Sequence, residues 1–270
     1  MNRFTVASWN VNGLRACGSK GFTTWLQGCG ADVVAVQEVR ATASQIPDDV
    51  RNPPGWGSCF SSAAKAGYSG VGLYYRTPPE DVRTSCGETR FDDEGRLQLA
   101  RIGKLLIVNG YFPNGNGSVL PGGKRSNDRV PYKLEFYRKL YDLLETERQS
   151  GGRVLVVGDF NTAPQAIDLA RPKDNVATSG FRPEERAEVQ RWLDAGWVDA
   201  FRRLHPDREG AYSWWSQRFG IREKNIGWRI DLGLVSPGAA PFVQEAAIHA
   251  DVRGSDHCPI SFQFRRDVLA

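Results

Sequence analysis

The order of apolar and polar positions along the 270-residue chain divides it into short strands and a few longer helices. Runs of Val, Leu, Ile and aromatic residues without strict alternation are typical of strands buried on both faces. Two such runs, 97–102 and 105–111, flank Gly103 and Lys104 and predict a hairpin. The other strands predicted in this way are 4–8, 31–36, 70–75, 82–86, 153–157, 227–235 and 242–248, with a terminal strand that ends at 264.

Helices are predicted where apolar residues recur with the helical period. The most regular segment is 132–147, and such a stripe is expected to pack on the core rather than on a partner. Its apolar face carries Leu134, Tyr137, Leu140, Tyr141 and Leu144. The remaining predicted helices are 14–27, 183–193 and 197–204.

The order of these elements favours an α/β fold. The strands come mostly in runs that suit antiparallel pairing, and the helices lie between the runs. A four-layer α/β sandwich, with two stacked, mainly antiparallel sheets flanked by helices, fits this order better than a doubly wound parallel sheet. No repeat, linker or break in composition interrupts the chain, so we expect residues 1–270 to form a single domain.

The stretch 153–164 is the centre of the pattern. Its apolar half predicts a buried strand, and Gly158 is expected to interrupt it. If the backbone then stays extended, Asp159 and Asn161 point to one face and Phe160 points into the core. The two polar residues would lie beyond the carboxyl end of a strand, where α/β folds place their chemistry. The alternative is that both residues only cap the following turn, and the local pattern leaves the two interpretations open.

Polar side chains also follow other predicted strands. Taken singly, each is explained by a turn or by a salt bridge at the rim of the fold. Taken together, they are spread along the whole chain and are hard to explain as independent turns, so we expect them to converge on one site. They are Asn10 and Asn12, Glu38, Tyr111 and Asn114, Asp231, and Asp256 with His257.

The residue types in these clusters suit the hydrolysis of a phosphodiester. Glu38, supported by Asn12 or Asp256, offers the hard oxygen ligands that Mg²⁺ prefers. Asp159 and Asn161 are further candidate ligands, and Mn²⁺ is expected to be able to replace Mg²⁺. A metal ion at this place would polarise the phosphate and stabilise the leaving oxygen.

Other residues in the clusters are expected to act on water and on the phosphate. Asp159 is suited to orient or deprotonate a water molecule, and Asn161 to hold that carboxylate or the phosphate. His257 beside Asp231 would be kept protonated and would neutralise the transition state. Hydrogen bonds to phosphate oxygens or to the metal's ligands are expected from Tyr111 and Asn10.

Composition adds bounds to this picture. A hydrophobic share of 40% and a charged share of 24% are ordinary for a soluble globular protein. The net charge is +4, and most of the positively charged residues are arginines. This balance permits nucleic-acid binding without requiring it. Five scattered cysteines without C-x-x-C spacing argue against a disulfide framework or a zinc site. With no signal-like or membrane-length apolar segment, we expect a cytoplasmic, nucleoid-associated protein.

The polar clusters belong to longer motifs. These motifs are 8–15 (SWNVNGLR), 37–38 (QE), 110–114 (GYFPN), 158–161 (GDFN), 227–231 (GWRID) and 255–259 (SDHCP). In this order they resemble the exonuclease III family of apurinic/apyrimidinic endonucleases, within the endonuclease/exonuclease/phosphatase superfamily. The resemblance covers essentially the whole chain and implies a DNase I-like four-layer sandwich. It also implies Mg²⁺-dependent cleavage 5′ to an abasic site that leaves a 3′-hydroxyl, with 3′-phosphodiesterase and 3′→5′ exonuclease as additional activities.

The resemblance assigns roles to residues that match the family's motifs. Glu38 would be the metal ligand, and Asp159 the carboxylate that activates water. His257, paired with Asp231, would contact the scissile phosphate. The implied substrate is double-stranded DNA with abasic sites or blocked 3′ ends, and we expect the protein to act as a monomer.

Contacts to DNA are expected from an aromatic pocket and from basic loops. A pocket too small for a base would select a bare sugar, and Trp214, Trp228 and Ile230 are its expected walls. The alternative is that both tryptophans are core residues, as we expect for Trp215. The other candidate contacts are Asn114 and a basic rim of Lys124, Arg125, Arg129, Arg171 and Lys173.

Two other functions are compatible with the same fold. A DNase I-like nuclease, or a phosphoinositide or sphingomyelin phosphodiesterase, would carry a signal peptide and disulfides if it were secreted. A catalytically weak nucleic-acid-binding regulator should lack the equivalents of Glu38, Asp159 or His257, and all three are present here. The chain departs from some relatives at Asn12, where they have Asp, and in the loop 114–127.

Overall fold

The computed structural model describes residues 2–123, 125–218 and 220–270. Its strands are β1 (Arg3–Asn10), β2 (Val33–Gln37), β3 (Gly57–Ser61), β4 (Val71–Tyr75), β5 (Asp81–Arg83), β6 (Leu97–Ile102), β7 (Leu105–Tyr111), β8 (Arg153–Asp159), β9 (Val198–Asp199), β10 (Asp231–Val235), β11 (Val243–Ile248) and β12 (Ile260–Arg265). Its α-helices are α1 (Leu14–Gly18), α2 (Phe22–Gly28), α3 (Asp48–Arg51), α4 (Thr89–Asp92), α5 (Val130–Gln149), α6 (Pro183–Asp194) and α7 (Ala200–Leu204).

Within these residues the strands form two six-stranded sheets. The first sheet has the order β11-β12-β1-β2-β4-β3, and the second has the order β5-β6-β7-β8-β10-β9. The pairs β1–β2 and β7–β8 are parallel, and the other pairs are antiparallel. The predicted pair of mainly antiparallel sheets is therefore confirmed.

The two sheets face each other across the largest part of the core. Val6 and Val33 of the first sheet and Ile107 and Val157 of the second belong to one buried cluster. Residues of α1, α2 and α3 pack on the outer face of the first sheet, and residues of α5 and α6 pack on the outer face of the second. Burial of one apolar face per helix and both faces per sheet gives the four-layer sandwich, as predicted.

Helix α5 shows how the pattern of the sequence determines packing. Tyr137, Leu140 and Leu144, which lie on the predicted apolar face, are buried against the second sheet. The helix also buries Lys133, a charged residue one turn before Tyr137 on the same face. No helix in the described ranges is both long enough and apolar enough to cross a membrane.

Strand β8 continues through Gly158, which the sequence pattern predicted to interrupt it. The glycine keeps its pairing with Gly110 on β7 at a φ of 143°. A Cβ at this position would overlap the Gly110 carbonyl, so glycine is needed for the close approach of the two strands. Phe160 then stacks on Phe112 in the core with ring centroids 4.1 Å apart, as its predicted direction requires.

Some predicted elements differ from the structure. The helix predicted over 14–27 is divided into α1 and α2, because Gly21 takes a left-handed conformation with a φ of 97°. The helix predicted over 197–204 begins at Ala200, because the preceding Asp199 pairs as β9 and then caps the helix by accepting a hydrogen bond from the Arg202 N–H. Strand β3 was not predicted, since its Gly-Ser-Cys-Phe-Ser sequence has little strand character.

The register of the strands places polar residues at one end of both sheets. On the second sheet, Asp159 of β8 lies opposite Tyr111 of β7 and opposite Asp231 of β10. On the first sheet, Asn10 at the end of β1 lies opposite Gln37 of β2, and the next residue is Glu38. These strand ends therefore bring the predicted site residues to a common edge of the sandwich.

Candidate active site

A cavity of about 280 Å³ opens at this common edge. Most of the residues predicted for the site contribute to its wall. They are Asn12, Glu38, Tyr111, Asn114, Asp159, Asn161, Trp214, Trp228, Ile230, Asp256 and His257. Asn10 and Asp231 lie behind the wall, where both are buried and hydrogen-bonded to residues that line it.

The carboxylate of Asp159 lies at the centre of this arrangement and is almost completely buried. Its Oδ1 accepts a hydrogen bond of 2.8 Å from the backbone N–H of Asn161. Its Oδ2 accepts one of 2.8 Å from the amide of Asn10 and one of 3.2 Å from the amide of Asn161. The lone pairs that these donors leave free are available to a water molecule in the cavity.

Asn10 joins two carboxylates. Its Nδ2 donates to Asp159 and also, at 3.1 Å, to Oε1 of Glu38, while its Oδ1 accepts from the backbone N–H of Asn12. Tyr111 donates a second hydrogen bond of 2.8 Å to the same oxygen of Glu38. The neutral donors Asn10 and Tyr111 therefore fix Glu38 in one orientation without neutralising its charge.

Asn161 has a left-handed backbone conformation with a φ of 49°. That conformation turns its side chain back toward the strand end, where its Nδ2 donates to the Phe112 carbonyl at 2.9 Å and to Asp159. Its Oδ1 accepts a hydrogen bond of 2.9 Å from Asn114. Asn161 and Asn114 thus form a continuous amide chain along one wall of the cavity.

His257 is held by a carboxylate on each side. Its Nδ1 lies 2.8 Å from Oδ2 of Asp231, and its Nε2 lies 3.9 Å from Oδ2 of Asp159. Burial opposes protonation of the imidazole, but Asp231 and then Asp159 and Asp256 outweigh it and raise the pKa of His257 to about 10. The ring is therefore an imidazolium at neutral pH, with Nε2 directed into the cavity.

The pKa of Asp159 is raised in turn. Burial raises it from 3.8 to about 7, against the opposing effect of His257, and the neighbouring Asp231 and Glu38 add to the increase. A carboxylate with a pKa near neutrality accepts a proton more readily than an ordinary one. The same burial that raises this pKa thus makes Asp159 a candidate general base.

Asp256 also lines the cavity, where it contacts Asn12 and Trp214. Its Oδ1 accepts a hydrogen bond of 2.7 Å from the amide of Asn12, and its Oδ2 accepts one of 3.2 Å from the indole of Trp214. Burial raises its pKa, but His257, Asn12 and Trp214 outweigh this effect, and the pKa is lowered overall. Asp256 is therefore a permanent anion beside Asn12.

The oxygen ligands around Asp256 suit a hard divalent cation. Glu38, Asp256 and the Asn12 amide present oxygen atoms to one cavity, which is the ligand chemistry of Mg²⁺ and Mn²⁺. A second group, Asp159, Asp231 and His257, also has its ligand atoms within 4.8 Å of one another. That group fits a cation less well, because Asp231 already binds the imidazolium of His257 and the imidazolium would repel a metal ion.

Two indole rings form the apolar wall. Trp214 and Trp228 are half-buried, lie edge to face with centroids 6.3 Å apart, and are joined by a backbone bridge. Ile230 is buried beside them in a small cluster with Leu169 and Phe181. The structure thus brings all three predicted pocket residues to the cavity, whereas Trp215 is buried outside it.

The predicted basic rim does not line the cavity. Arg129 turns away to pair with Glu94 and with the hydroxyl of Tyr68. Arg125 is exposed in the loop after β7, and Lys124 lies outside the described residues. The exposed side chains of Arg171 and Lys173 lie in another loop that does not contribute to the wall.

Several cations near the site were not predicted from the sequence. Arg40 lines the cavity and forms an ion pair with Glu38. A neighbouring cavity of about 380 Å³, which shares Asn12 and Asp256 with the first, is lined by further basic residues. These residues are Lys20, Arg222 and Arg253.

Comparison with known proteins identifies the family of this fold and site. Residues 7–257 match the Endonuclease/Exonuclease/phosphatase family. The chain belongs to this family.

Individual relatives cover nearly the whole chain. It is 38% identical over 257 residues to an exodeoxyribonuclease of Bacillus subtilis, with 94% of this chain and 97% of that protein covered. It is 34% identical over 258 residues to the DNA repair nuclease APEX1 of Danio rerio, with 95% and 80% covered. Among solved structures, a 3′-5′ exonuclease from Neisseria meningitidis superposes with a TM-score of 0.86 at 26% identity, with 97% and 99% covered.

Membership of the Endonuclease/Exonuclease/phosphatase family confirms the resemblance inferred from the motifs. It also confirms the DNase I-like fold and the prediction of a hydrolytic nuclease with a role in DNA repair. The family's enzymes are metal-dependent, in accord with the oxygen donors of the cavity.

Proposed function

We propose that this protein is a Mg²⁺-dependent nuclease that hydrolyses the phosphodiester bond 5′ to an abasic site in double-stranded DNA. One observation carries the proposal. Asp159, held by Asn10 and Asn161 and 3.9 Å from the His257 imidazolium, lies in a cavity with oxygen donors on one side and two indole rings on another. A water nucleophile, a phosphate and a bare sugar each have a suitable surface in this cavity.

Asp159 is the general base. Its carboxylate accepts the proton of the attacking water, while Asn10 and Asn161 keep it oriented. The water oxygen forms a bond to phosphorus, the bond from phosphorus to O3′ breaks, and the leaving O3′ takes a proton from solvent water. The products are a 3′-hydroxyl and a 5′-phosphate on the abasic sugar.

His257 stabilises the transition state as an imidazolium. Its Nε2–H is directed into the cavity, where negative charge accumulates on the phosphate oxygens. Asp231 accepts the other ring N–H and so holds the charge and the orientation of the ring. Asn114 lines the same cavity and has a second amide N–H to donate to the phosphate, whereas Tyr111 gives its single O–H to Glu38 and acts through that carboxylate.

The metal ion would be held by Glu38 together with Asp256 and Asn12, whereas Asp159 and Asn161, which the motifs also suggested, act instead on the water. When bound, Mg²⁺ or Mn²⁺ supplies Lewis-acid polarisation of the phosphate and stabilises the leaving O3′. Glu38 is prepared for this task by Asn10 and Tyr111, which orient it without neutralising it.

The aromatic wall of the cavity selects the abasic site. A deoxyribose without a base can turn out of the helix at a lower cost than a stacked nucleotide can. Trp214, Trp228 and Ile230 would contact its apolar face, and a nucleobase would have to displace them. The same pocket would admit a blocked 3′ end that carries no base, which would allow 3′-phosphodiesterase activity.

Basic residues beside the cavity are proposed to bind the DNA backbone. Lys20, Arg222 and Arg253 surround the neighbouring cavity on the Asn12 and Asp256 side. Arg125, Arg171 and Lys173 are exposed and available on other loops.

We also propose that the protein acts as a monomer on chromosomal DNA in the cytoplasm, in accord with its five free thiols.

A panel of labelled duplexes tests the proposed function. The duplexes carry a tetrahydrofuran abasic analogue, a 3′-phosphate or no damage, and each is incubated with Mg²⁺ or with EDTA. We expect the tetrahydrofuran duplex to be cleaved fastest, and all cleavage to stop in EDTA. Equal rates on damaged and undamaged duplexes, or cleavage that persists in EDTA, would contradict the proposal.

A further inference from the structure

Arg40 was not predicted as a site residue, yet its side chain lines the active-site cavity beside Glu38. The backbone after β2 is left-handed at both Glu38 and Arg40, with φ values of 55° and 52°. The residue between them, Val39, is buried in the core, so Glu38 and Arg40 both turn toward the cavity. Backbone hydrogen bonds from Val39 and Arg40 to Gly70 and Ser69 hold this turn in place.

The contacts of Glu38 divide between its two oxygens. Oε1 accepts hydrogen bonds from the neutral groups of Asn10 and Tyr111, whereas Oε2 contacts the guanidinium of Arg40. Among the described residues, Arg40 is the cation paired with Glu38. A metal ion bound to Glu38 would therefore share this carboxylate with a cation that is already present.

Arg40 is not fixed in its present position. Its side chain is 44% exposed, and its guanidinium donates to Glu38 alone among the side chains of the described ranges. A guanidinium is a planar donor fork that matches a phosphate as well as it matches a carboxylate. The arginine can therefore exchange one partner for the other without unpacking the core.

We propose that Arg40 is an exchangeable counter-ion: it neutralises Glu38 in the metal-free protein and contacts a phosphate oxygen of DNA when a divalent cation takes the carboxylate. The second half of this inference rests on the proposed function, because it requires a phosphodiester substrate in the cavity. The exchange would couple metal binding to DNA binding through one side chain. Arg40 thereby becomes a substrate-binding residue in addition to those that the motifs suggest.

The first test measures Mn²⁺ binding to the DNA-free protein by calorimetry. Arg40→Met removes the competing charge but keeps the length of the side chain, and we expect it to bind Mn²⁺ about fivefold more tightly, the effect of losing one partly exposed ion pair. Arg40→Lys should retain the affinity of the wild type. Arg83→Met, which removes an exposed arginine paired with Asp81 on edge strand β5, is the matched control and should have no effect. Unchanged Mn²⁺ affinity in Arg40→Met would overturn the exchange whatever the substrate is.

The second test measures the Kd of a tetrahydrofuran duplex by fluorescence anisotropy, in an Asp159→Asn background that slows cleavage enough for binding to be read before the duplex is cut. In EDTA, Arg40→Met should bind the duplex as tightly as the background protein does, because Arg40 is then engaged by Glu38. In Mn²⁺, it should bind about tenfold more weakly, the loss expected for one charged hydrogen bond to phosphate. An equal loss in both conditions would overturn the exchange and indicate a constant phosphate contact. Failure of the wild type to cleave abasic DNA would overturn the proposed function but leave the Mn²⁺ result intact.

Discussion

The imidazole of His257 is linked to Asp231 by a hydrogen bond of 2.8 Å between Nδ1 and Oδ2. Asp231 begins β10 of the second sheet, and His257 lies in the loop that leads to β12 of the first sheet. Ser213 donates a further hydrogen bond of 2.6 Å to the same carboxylate oxygen. This buried relationship across the sandwich sets the charge of the group that faces the cavity.

The pH dependence of cleavage should report that relationship. Against the opposing effect of burial, Asp231 and then Asp159 and Asp256 raise the pKa of His257 from 6.5 to about 10, so the imidazolium required for catalysis is lost only as the pH rises through that value. Asp231→Asn removes the charge but keeps the hydrogen-bonding shape. We expect the alkaline fall of kcat to move toward neutral pH in this variant, as measured by a pH–rate profile in Mg²⁺.

The same pKa difference affects stability with a defined sign. Because the pKa of His257 is higher in the folded state, its contribution to stability is complete below pH 6.5 and is lost as the pH rises toward 10. The stability gap between the wild type and Asp231→Asn should therefore shrink on the alkaline side. An alkaline limb of kcat that is identical in the two proteins would show that Asp231 does not control His257.

A buried ion pair supports the part of the cavity wall that includes Asn161 and Gly180. Lys133 and Glu185 are fully buried, with Nζ and Oε1 2.6 Å apart, and Lys133 also donates to the Asn161 carbonyl at 2.6 Å. Glu185 in turn accepts from the backbone N–H of Gly180, which lines the cavity. The pair therefore holds both the Asn161 turn and a neighbouring loop.

Breaking this pair should destabilise the protein strongly. Lys133→Met leaves Glu185 buried without its cation, and we expect a loss of about 3–5 kcal/mol in the free energy of unfolding measured in urea. The double variant Lys133→Met/Glu185→Gln should recover part of that loss, because no charge remains buried. Its kcat should stay low, since the Asn161 carbonyl still lacks its donor. Full recovery of kcat in the double variant would limit the pair to a purely structural role.

The aromatic wall should control selectivity more than speed. Trp214→Ala and Trp228→Ala enlarge the pocket, and we expect the ratio of abasic to undamaged cleavage to fall in both variants. Trp25→Ala is the matched control, because Trp25 is half-buried against Trp9 away from the cavity. Rates on both substrates should be compared in proteins whose folded state is verified by circular dichroism. Proportional loss of both activities would mean that the two tryptophans serve only the core.

Binding to DNA should depend on salt through the cations beside the second cavity. Each phosphate neutralised contributes a log–log slope of roughly −0.9 to the dependence of affinity on salt. Lys20→Ala and Arg253→Ala should each make the slope shallower by about one contact, as measured by anisotropy with an abasic duplex. Lys104→Ala, an exposed lysine in the hairpin turn between β6 and β7, should leave the slope unchanged. A salt-independent Kd in the wild type would contradict binding through the phosphate backbone.

Local patterns in the sequence were sufficient where a residue's environment is set by its own strand or helix. The hairpin of β6 and β7 has the predicted turn at Gly103, because strand and turn signals adjoin there. Phe160 is buried as predicted, and so are Tyr137, Leu140 and Leu144 of the predicted apolar face of α5, while Leu134 and Tyr141 at the edge of that face are only partly buried. Asp159 ends β8 and Asn161 follows two residues later, so the sequence places them together, but the left-handed turn at Asn161 that joins their side chains replaces the extended backbone that the pattern predicted.

Residues whose partners are distant in the sequence could not be predicted in the same way. Arg129 lies next to a site motif, but its direction is set by Glu94 and Tyr68, which come from another part of the chain. Arg40 faces the cavity because of the left-handed turn after β2, which the sequence pattern did not reveal. Lys20 becomes part of a basic surface only when the fold brings Arg253 beside it.

The most direct test of the central claim is the fate of one phosphodiester bond. A 5′-labelled duplex with a single tetrahydrofuran site is incubated in Mg²⁺ with the wild type and with Asp159→Asn, and the product ends are identified by mass spectrometry. We expect the wild type to give one product with a 3′-hydroxyl directly 5′ to the site. The variant should form it more slowly by about two to three orders of magnitude, as for loss of one preorganised catalytic group. Cleavage on the 3′ side, or a variant as fast as the wild type, would contradict hydrolysis centred on Asp159.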